Sequence, residues 1–210
     1  MTTLVIGANG QIGRLFCELA QAAGEPVKAM IRDAAQQEWF EQHGIATVVA
    51  DLEGDFRHAF DGCDQVLFTA GSGPHTGADK TLLIDLYAAT RVVDLARELG
   101  LERYVMVSAM RAERPLEAPE ALRPYMAAKF AADAYLRASG VPHVILKPGR
   151  LIDEPATRRV AVSLDETGGE ITVSRANVAH ALLHLVRHRR LVNREFGLLD
   201  GERKIAEALV

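Results

Sequence analysis

The chain has almost no cysteine. Its two, Cys17 and Cys63, offer no disulfide framework and no C-x-x-C spacing, so both read as reduced, buried thiols. A basic excess is also lacking. The 24 lysines and arginines face 28 acidic residues, for a net charge of -4. That balance excludes a protein that grips nucleic acid or an anionic membrane through bulk charge. No apolar run approaches the roughly 18 residues of a membrane span, and no basic segment precedes an apolar one at the start, so no signal peptide is readable. Repeats, low-complexity runs and linkers are missing as well. These absences lead to the expectation of a cytoplasmic protein with no membrane or nucleic-acid partner. The oligomeric state has no readable signature.

What is present is an ordinary folding composition: 210 residues, 49% hydrophobic and 25% charged. Against roughly 150 residues per domain, residues 1–210 read as one domain. A chain of this length buries on the order of 70% of its unfolded surface and needs no metal or disulfide to fold. Short apolar runs at 4–6, 27–31, 47–49, 66–68, 104–107 and 143–146 read as strands. Most are continuous rather than alternating, as in a parallel sheet covered on both faces. Helical patterns fill 11–23, 34–43, 79–99 and about 119–139. Gly24, Gly44, Gly100 and Gly140 follow these four, where a left-handed residue closes a helix. Strand and helix alternating at this spacing predict an α/β fold, a doubly wound parallel Rossmann sheet. After Pro148 the rhythm changes. Residues 159–164 and 170–174 read as a hairpin around Gly168-Gly169, Ser174 as the cap of a helix to about 188, and 196–199 as a last strand. Residues from about 150 to 210 thus form a small C-terminal extension of the same domain.

The sharpest chemical signal is Gly7-Ala8-Asn9-Gly10-Gln11-Ile12-Gly13, directly after the first strand and opening the first helix. Glycines there permit a tight turn, close backbone approach to a pyrophosphate and close helix-on-strand packing, while the helix N-terminus supplies free N–H groups. As a bare string it occurs by chance in about one such chain in ten; its position is what gives it weight. At the end of the second strand an acidic residue would accept the ribose 2′-hydroxyl of NAD, whereas arginine would pair with the 2′-phosphate of NADP. Arg32 stands there, followed by Asp33 as the expected cap of the next helix. The reading is NADP, with NAD as the alternative, and Arg14 as a possible second contact. Arg32 as a plain surface charge stays open.

Tyr125 and Lys129 are spaced i,i+4 near the start of a helix, so phenol and ammonium address one ligand on the carboxyl side of the sheet. Such a pair also arises by chance in about one chain in ten. His180, His184 and His188 share a helix stripe whose spacing suits zinc. With no acidic or cysteine ligand beside them they read as a solvated polar stripe, and no metal is expected. His75, in the loop after Gly71-Ser72-Gly73-Pro74, reads as a loop residue, with a place in the substrate cleft as the alternative.

GANGQIG, TAGSG at 69–73, VSAM at 107–110, YMAAK at 125–129 and KPGRL at 147–151 occur in this order. Together they resemble the short-chain dehydrogenase/reductase superfamily, and within it the short, atypical NAD(P)H-binding branch that includes NmrA-like and biliverdin-reductase-like proteins. The resemblance covers essentially the whole chain. It implies cofactor binding by Gly7, Asn9, Gly10, Gln11, Ile12 and Gly13, by Arg32, by Asp51 and Leu52 at the adenine, by Thr69, Ala70 and Gly71 along the fourth strand, and by Pro148 and Gly149 beside the nicotinamide. It also implies Ser108, Tyr125 and Lys129 as catalytic residues, with Lys129 on the nicotinamide ribose too. Lys80 and Asp85 resemble positions this branch tends to keep and read as structural. The chain departs from the pattern at Ala109, in place of a second serine, at Asn177, in place of a helix-start aspartate, and in the long interval between Ser108 and Tyr125.

The function expected is therefore an NADP(H)-dependent oxidoreductase reducing a carbonyl or similar small-molecule substrate through the Tyr/Lys pair. A non-catalytic NAD(P)-binding regulator or redox sensor is the alternative; such a sensor has no need of that pair. A sugar-nucleotide epimerase fits less well, because the roughly 60-residue tail is short for a substrate domain.

Overall fold

The computed structural model describes residues 1–73 and 75–210. Within it β1 (Thr3–Ile6), β2 (Val27–Ile31), β3 (Ala46–Val49), β4 (Gln65–Phe68), β5 (Arg103–Val107) and β6 (His143–Pro148) are the six strands expected from the apolar runs. They lie parallel, and with β8 (Arg159–Ala161), β10 (Arg194–Asp200) and β11 (Arg203–Lys204) the full sheet has the order β11-β8-β10-β6-β5-β4-β1-β2-β3. From β1 the chain moves outward through β2 and β3, then returns to place β4 on the other side of β1. The strand order reverses between β1 and β4, and a crevice opens there at the carboxyl ends. This is the α/β Rossmann-like architecture expected.

Alternation along β1 shows why its run is continuously apolar. Val5 packs into the layer of α1 (Gln11–Ala22) and α6 (Arg175–Arg187), with Phe16, Cys17, Leu182 and Leu185. Leu4 and Ile6 enter the opposite layer, formed by α4 (Ala89–Glu98) and α5 (Arg123–Ala138), with Val92, Val93, Ala132 and Leu136. Each fully buried Leu, Ile or Phe contributes about 1.5–3 kcal/mol.

Three helices are less regular than the pattern implies. Residues 34–43 divide into a tight turn, Ala34–Gln36, and α2 (Gln37–Gln42); Asp33 caps the turn, accepting from the Ala35 N–H at 2.9 Å. Residues 79–99 comprise α3 (Ala78–Lys80), a wide π-helical stretch (Thr81–Ala88) and α4. The fourth expected helix becomes a short turn, Glu120–Leu122, followed by α5 with Pro124 in its first turn. Gly24, Gly44, Gly100 and Gly140 all have positive φ, as expected.

The hairpin at 159–174 does not form. β8 (Arg159–Ala161) runs antiparallel to β10 (Arg194–Asp200) and to β11 (Arg203–Lys204), whereas β9 (Thr172–Ser174) runs parallel to β7 (Arg150–Ile152) in a separate two-stranded sheet. Gly149 explains the separation. A Cβ there would collide with the Ile171 carbonyl oxygen, and that closeness lets Arg150 N–H donate to Ile171 at 2.6 Å. The strand is thereby drawn to β7 and away from β8. Ser174 caps α6 as expected, accepting from Asn177 N–H at 3.0 Å. Asn177 is fully buried and its amide donates to Asp200 at 2.7 Å and Thr157 at 2.9 Å. An aspartate has no donor for those contacts, which accounts for the amide.

Arg103, buried on β5, caps the far end of α6. Its guanidinium donates to the carbonyls of Leu185, Val186, His188 and Leu191 and to Gln65 Oε1. The last carbonyls of a helix have no partner within it, so this one side chain satisfies several buried acceptors. Arg103→Met is expected to lower unfolding stability in urea by about 3 kcal/mol or more, because it leaves those acceptors unpaired. An unchanged midpoint would refute the capping role.

Candidate functional site

The turn between β1 and α1 is shaped by what cannot fit in it. Gly7 has φ +87°, and a Cβ on it would lie 2.5 Å from the Ala70 nitrogen on the segment leaving β4. A Cβ on Gly13 would overlap the Gly7 carbonyl oxygen. Gly10 differs: its φ is -72°, and the nearest atom to an added Cβ is Gly7 O at 3.2 Å. Gly7 and Gly13 are required by the turn itself, whereas Gly10 keeps the space beyond it open. Among the described residues no side chain caps α1, so its first N–H groups and positive dipole end remain for a ligand.

That space is a groove of about 360 Å³. Of the residues expected to bind cofactor, Gly7, Asn9, Gly10, Arg32, Asp51, Leu52, Ala70 and Gly71 line it. Arg32 is exposed and forms no salt bridge among the described residues; its N–H donates to Gln36 Oε1 at 3.2 Å. The other expected contacts lie outside the lining. Thr69 turns its hydroxyl to the carbonyls of Ile6 (3.1 Å) and Gly7 (3.3 Å), bracing the turn. Gln11, Ile12 and Gly13 belong to α1, Pro148 is buried, and Gly149 N–H is held by Leu198 O at 3.0 Å. Arg14 is committed elsewhere: Asn9 Oδ1 accepts from it at 2.6 and 3.0 Å, and its guanidinium covers Trp39 at 4.7 Å. His75 is exposed and outside the lining. The groove also includes Ser72 of the TAGSG motif and Lys80, together with Gln36 and Glu53, which no motif pointed to. Lys80 pairs with Glu53 at 2.6 Å across the rim, in keeping with its structural reading.

Tyr125 and Lys129 lie on α5 beside the end of β5. Lys129 is buried; its ammonium lies 5.6 Å from the Tyr125 ring centre, donates to Val107 O at 3.3 Å and sits 3.2 Å from Asp85 Oδ1. Asp85 Oδ2 accepts the Ser72 N–H at 2.9 Å, which joins this cluster to the groove wall. Asp85 sits in the π-helical stretch, a wide turn often found at functional sites. It bridges Lys129 to the backbone of Ser72 in the groove wall. A lone acid in the run Leu82-Leu83-Ile84-Asp85-Leu86 was the available signal.

Burial, more than any charge, sets the Tyr125 phenol. Burial pushes the phenol above its ordinary value; Lys129 pulls it down, but Asp85 and Asp133 push with the burial. Burial lowers the Lys129 ammonium, but Tyr125, Asp85 and Asp133 outweigh it and leave the group above its ordinary range.

Ser108 is buried at the end of β5, its N–H donating to Leu146 O at 2.8 Å. Its hydroxyl is beside Asp133, one turn beyond Lys129 on α5, whose carboxyl burial pushes up. Lys147 reaches Asp133 at 3.6 Å and Glu195 at 2.7 Å, and Arg137 also pairs with Glu195. Asp133 continues the i,i+4 stripe of Tyr125 and Lys129, a spacing visible in the sequence. His184 and His188 stack at 3.9 Å and are each bonded to a backbone carbonyl, Leu209 and His184 respectively, as a structural pair. Among the described residues no helix is long and apolar enough to cross a membrane.

A glycine turn at a topological switch point, a free helix N-terminus and an arginine at the end of β2 define a dinucleotide-binding protein of the Rossmann class. The family model described as NAD(P)H-binding matches residues 7–189. The chain is 41% identical over 213 residues to an uncharacterized sugar epimerase of Bacillus subtilis, covering 100% of this chain and 99% of that protein. Among solved structures, a Bacillus halodurans protein provisionally named an NAD-dependent epimerase/dehydratase superposes with TM-score 0.94 and 38% identity, covering 100% and 98% of the two chains. An anaerobilin reductase from Escherichia coli O157:H7 shares the fold at TM-score 0.75 and 24% identity, over 95% and 97%. The chain belongs to the NAD(P)H-binding family, and the resemblance read from its motifs is borne out.

The Glu195 cluster sets a pH dependence. The hydrogen bond from Arg137, then that from Lys147, holds the Glu195 carboxyl down to about 2. An unfolded Glu titrates near 4.3. A depressed folded value means that the stabilisation is complete above about 4.3 and is lost as pH falls toward 2. Glu195→Gln is expected to cost about 1–2 kcal/mol at pH 7, discounted for partial exposure, and almost nothing near pH 2. Urea unfolding at the two pH values measures the difference.

Proposed function

We propose that this chain is an NADP(H)-dependent oxidoreductase that reduces a carbonyl or similar small acceptor, with Tyr125 as general acid and Lys129 as its partner. The observation that supports this most is the continuity from groove to helix: Ser72 in the groove wall, Asp85, then Lys129 beside Tyr125. The residues present fit the cofactor, since Gly10 leaves the cradle open and Arg32 has no salt-bridge partner among the described residues. When bound, the nicotinamide supplies a hydride to the acceptor carbon. Tyr125 delivers the proton to the acceptor oxygen, and its buried phenol is held protonated for that step. Lys129 stabilises the phenolate left behind and holds the ribose hydroxyls. Ser108 donates to the same acceptor oxygen.

Two other readings have an observation in their favour. The commitment of Lys129 to Asp85 suits a binder that senses the cofactor without turnover. The 41% identity to a protein named as a sugar epimerase favours isomerisation. Net oxidation of NADPH by an added carbonyl or quinone, followed at 340 nm, separates the reductase from both.

Calorimetric titration is expected to give tighter binding of NADP(H) than NAD(H). A guanidinium–phosphate contact is worth about 1.5–3 kcal/mol, or roughly tenfold to more than a hundredfold. Arg32→Ala should erase most of that preference and leave NAD(H) binding nearly unchanged. Gly10→Val should stay folded by circular dichroism and lose both cofactors, because the new side chain fills the cradle. Equal affinities in the parent chain would reject the Arg32 assignment.

For the chemistry, Tyr125→Phe is expected to lower turnover by on the order of a hundredfold with cofactor affinity unchanged, whereas Lys129→Ala reduces both. Wild-type turnover by the phenylalanine variant would remove Tyr125 from the acid role.

A further inference from the structure

Behind Ser108 lies a group of buried polar atoms that lack a hydrogen bond among the described residues, Asp133 having only the longer ion pairs to Lys147 at 3.6 Å and Arg137 at 4.0 Å. Ser108 Oγ, both carboxyl oxygens of Asp133 and the Tyr104 hydroxyl are all inaccessible, and none makes a hydrogen bond among the described residues. Buried polar atoms without partners cost about 1–3 kcal/mol each, so three neighbouring side chains of this kind call for an explanation. The Asp133 side chain is 1% exposed. Exposure then rises outward, to 15% at Lys147 and 31% at Glu195. The polar string thus runs from the hydroxyl nearest the chemistry to solvent.

We propose that Asp133 is a positioning residue that sets the direction of the Ser108 hydroxyl. With a proton on its carboxyl, Asp133 donates to Ser108 Oγ, and the serine's own hydrogen points into the cleft toward an acceptor oxygen. When ionised, Asp133 accepts from Ser108 instead and turns that hydrogen inward. No bond between heavy atoms changes; one proton leaves Asp133 for solvent by way of the Lys147 and Glu195 rim. Oxygen geometry dictates this reciprocity, because a hydroxyl has one hydrogen and a carboxylate has none.

The groups facing Asp133 set the balance. Ser108 and Tyr104 lie on the β5 side, Lys147 on β6, Glu195 on β10, and Lys129, Tyr125 and Arg137 on its own helix. Burial favours the protonated form, Glu195 acts the same way, and Ser108, Lys147 and Arg137 oppose it. The carboxyl ends above its ordinary range, so the switch falls on the alkaline side of a free aspartate.

The consequence for turnover rests on the reductase reading; the hydrogen bond itself does not. The full chain is titrated by difference infrared spectroscopy without acceptor. A carboxylic-acid C=O band is expected with a midpoint above about 3.9, the ordinary Asp value. Asp133→Asn should abolish it and Ser108→Ala should shift it. Either variant leaving the band unaltered overturns the proposal. In parallel, kcat/KM for NADPH with a small quinone or aldehyde should fall about fivefold across that midpoint, the worth of one hydrogen bond. Asp133→Asn, which keeps a donor but cannot ionise, should lack this fall. A merely structural Asp133 would leave the pH profile as it is in the parent, and that result also overturns the proposal. If no acceptor is reduced while the band responds to both variants, the reductase reading fails and the Asp133–Ser108 bond stands.

Discussion

The close passage of Gly7 against Ala70 is the constraint on which the molecule depends. β1 and β4 are neighbours from opposite halves of the winding, and their chains leave the sheet side by side. Even a methyl group at Gly7 would drive them apart. The closeness brings the groove floor, the start of α1 and the segment from Thr69 to Ser72 to one place. Gly13 extends the constraint by letting α1 settle on the turn, so that Phe16 and Cys17 reach the core and α1 packs on α6. Through Ser174 and Asn177, α6 in turn fixes the C-terminal strands.

A chain selected only for stability would not bury Lys129, Asp85 and Asp133. Removing such charges from water costs several kcal/mol per ion, and apolar replacements of equal volume are often neutral or better. Here acids and bases are interleaved from Ser72 through Asp85 and Lys129, and from Asp133 through Lys147 to Glu195. Their place beside a dinucleotide groove is where perturbed groups accumulate for chemical reasons. The π-helical stretch contributes by carrying Asp85 into reach of Lys129, at the expense of regular helix geometry.

Much of the fold was legible because its signals are periodic. Continuous apolar strands, helix-closing glycines and a glycine turn between first strand and first helix have local causes that a sequence displays. Part of the groove lining was legible for the same reason: Gly7, Asn9, Gly10, Arg32, Asp51, Leu52, Ala70 and Gly71 line it, whereas Gln11, Ile12, Gly13 and Thr69 do not. What the sequence hid was set by contacts distant along the chain. The 159–174 hairpin failed because Gly149 receives Ile171, a pairing that no local pattern encodes. Arg14, read as a possible second contact to the cofactor, lies over Trp39, which is distant along the chain, and also bonds nearby Asn9. Asp85 meets Lys129 only because the sheet packs α5 against the π-helical stretch. Tyr125 had its helix position legible and its electrostatics hidden, since burial and the distant acid Asp85 act on it together with Lys129 and Asp133 of its own helix.

The long interval between Ser108 and Tyr125 is the feature most at odds with the family pattern, yet both residues are held without it. Ser108 is fixed by β5 pairing with Leu146, and Tyr125 by α5, which is anchored through Ala128, Ala132 and Leu136. The connection starts where Met110 N–H bonds Pro148 O, buries Ala112 and passes through two short turns before α5 begins. Its extra length is therefore taken up outside the reacting groups. A segment so placed, at the carboxyl edge and free of the work of positioning, can change in length and sequence while Ser108 and Tyr125 stay where β5 and α5 hold them.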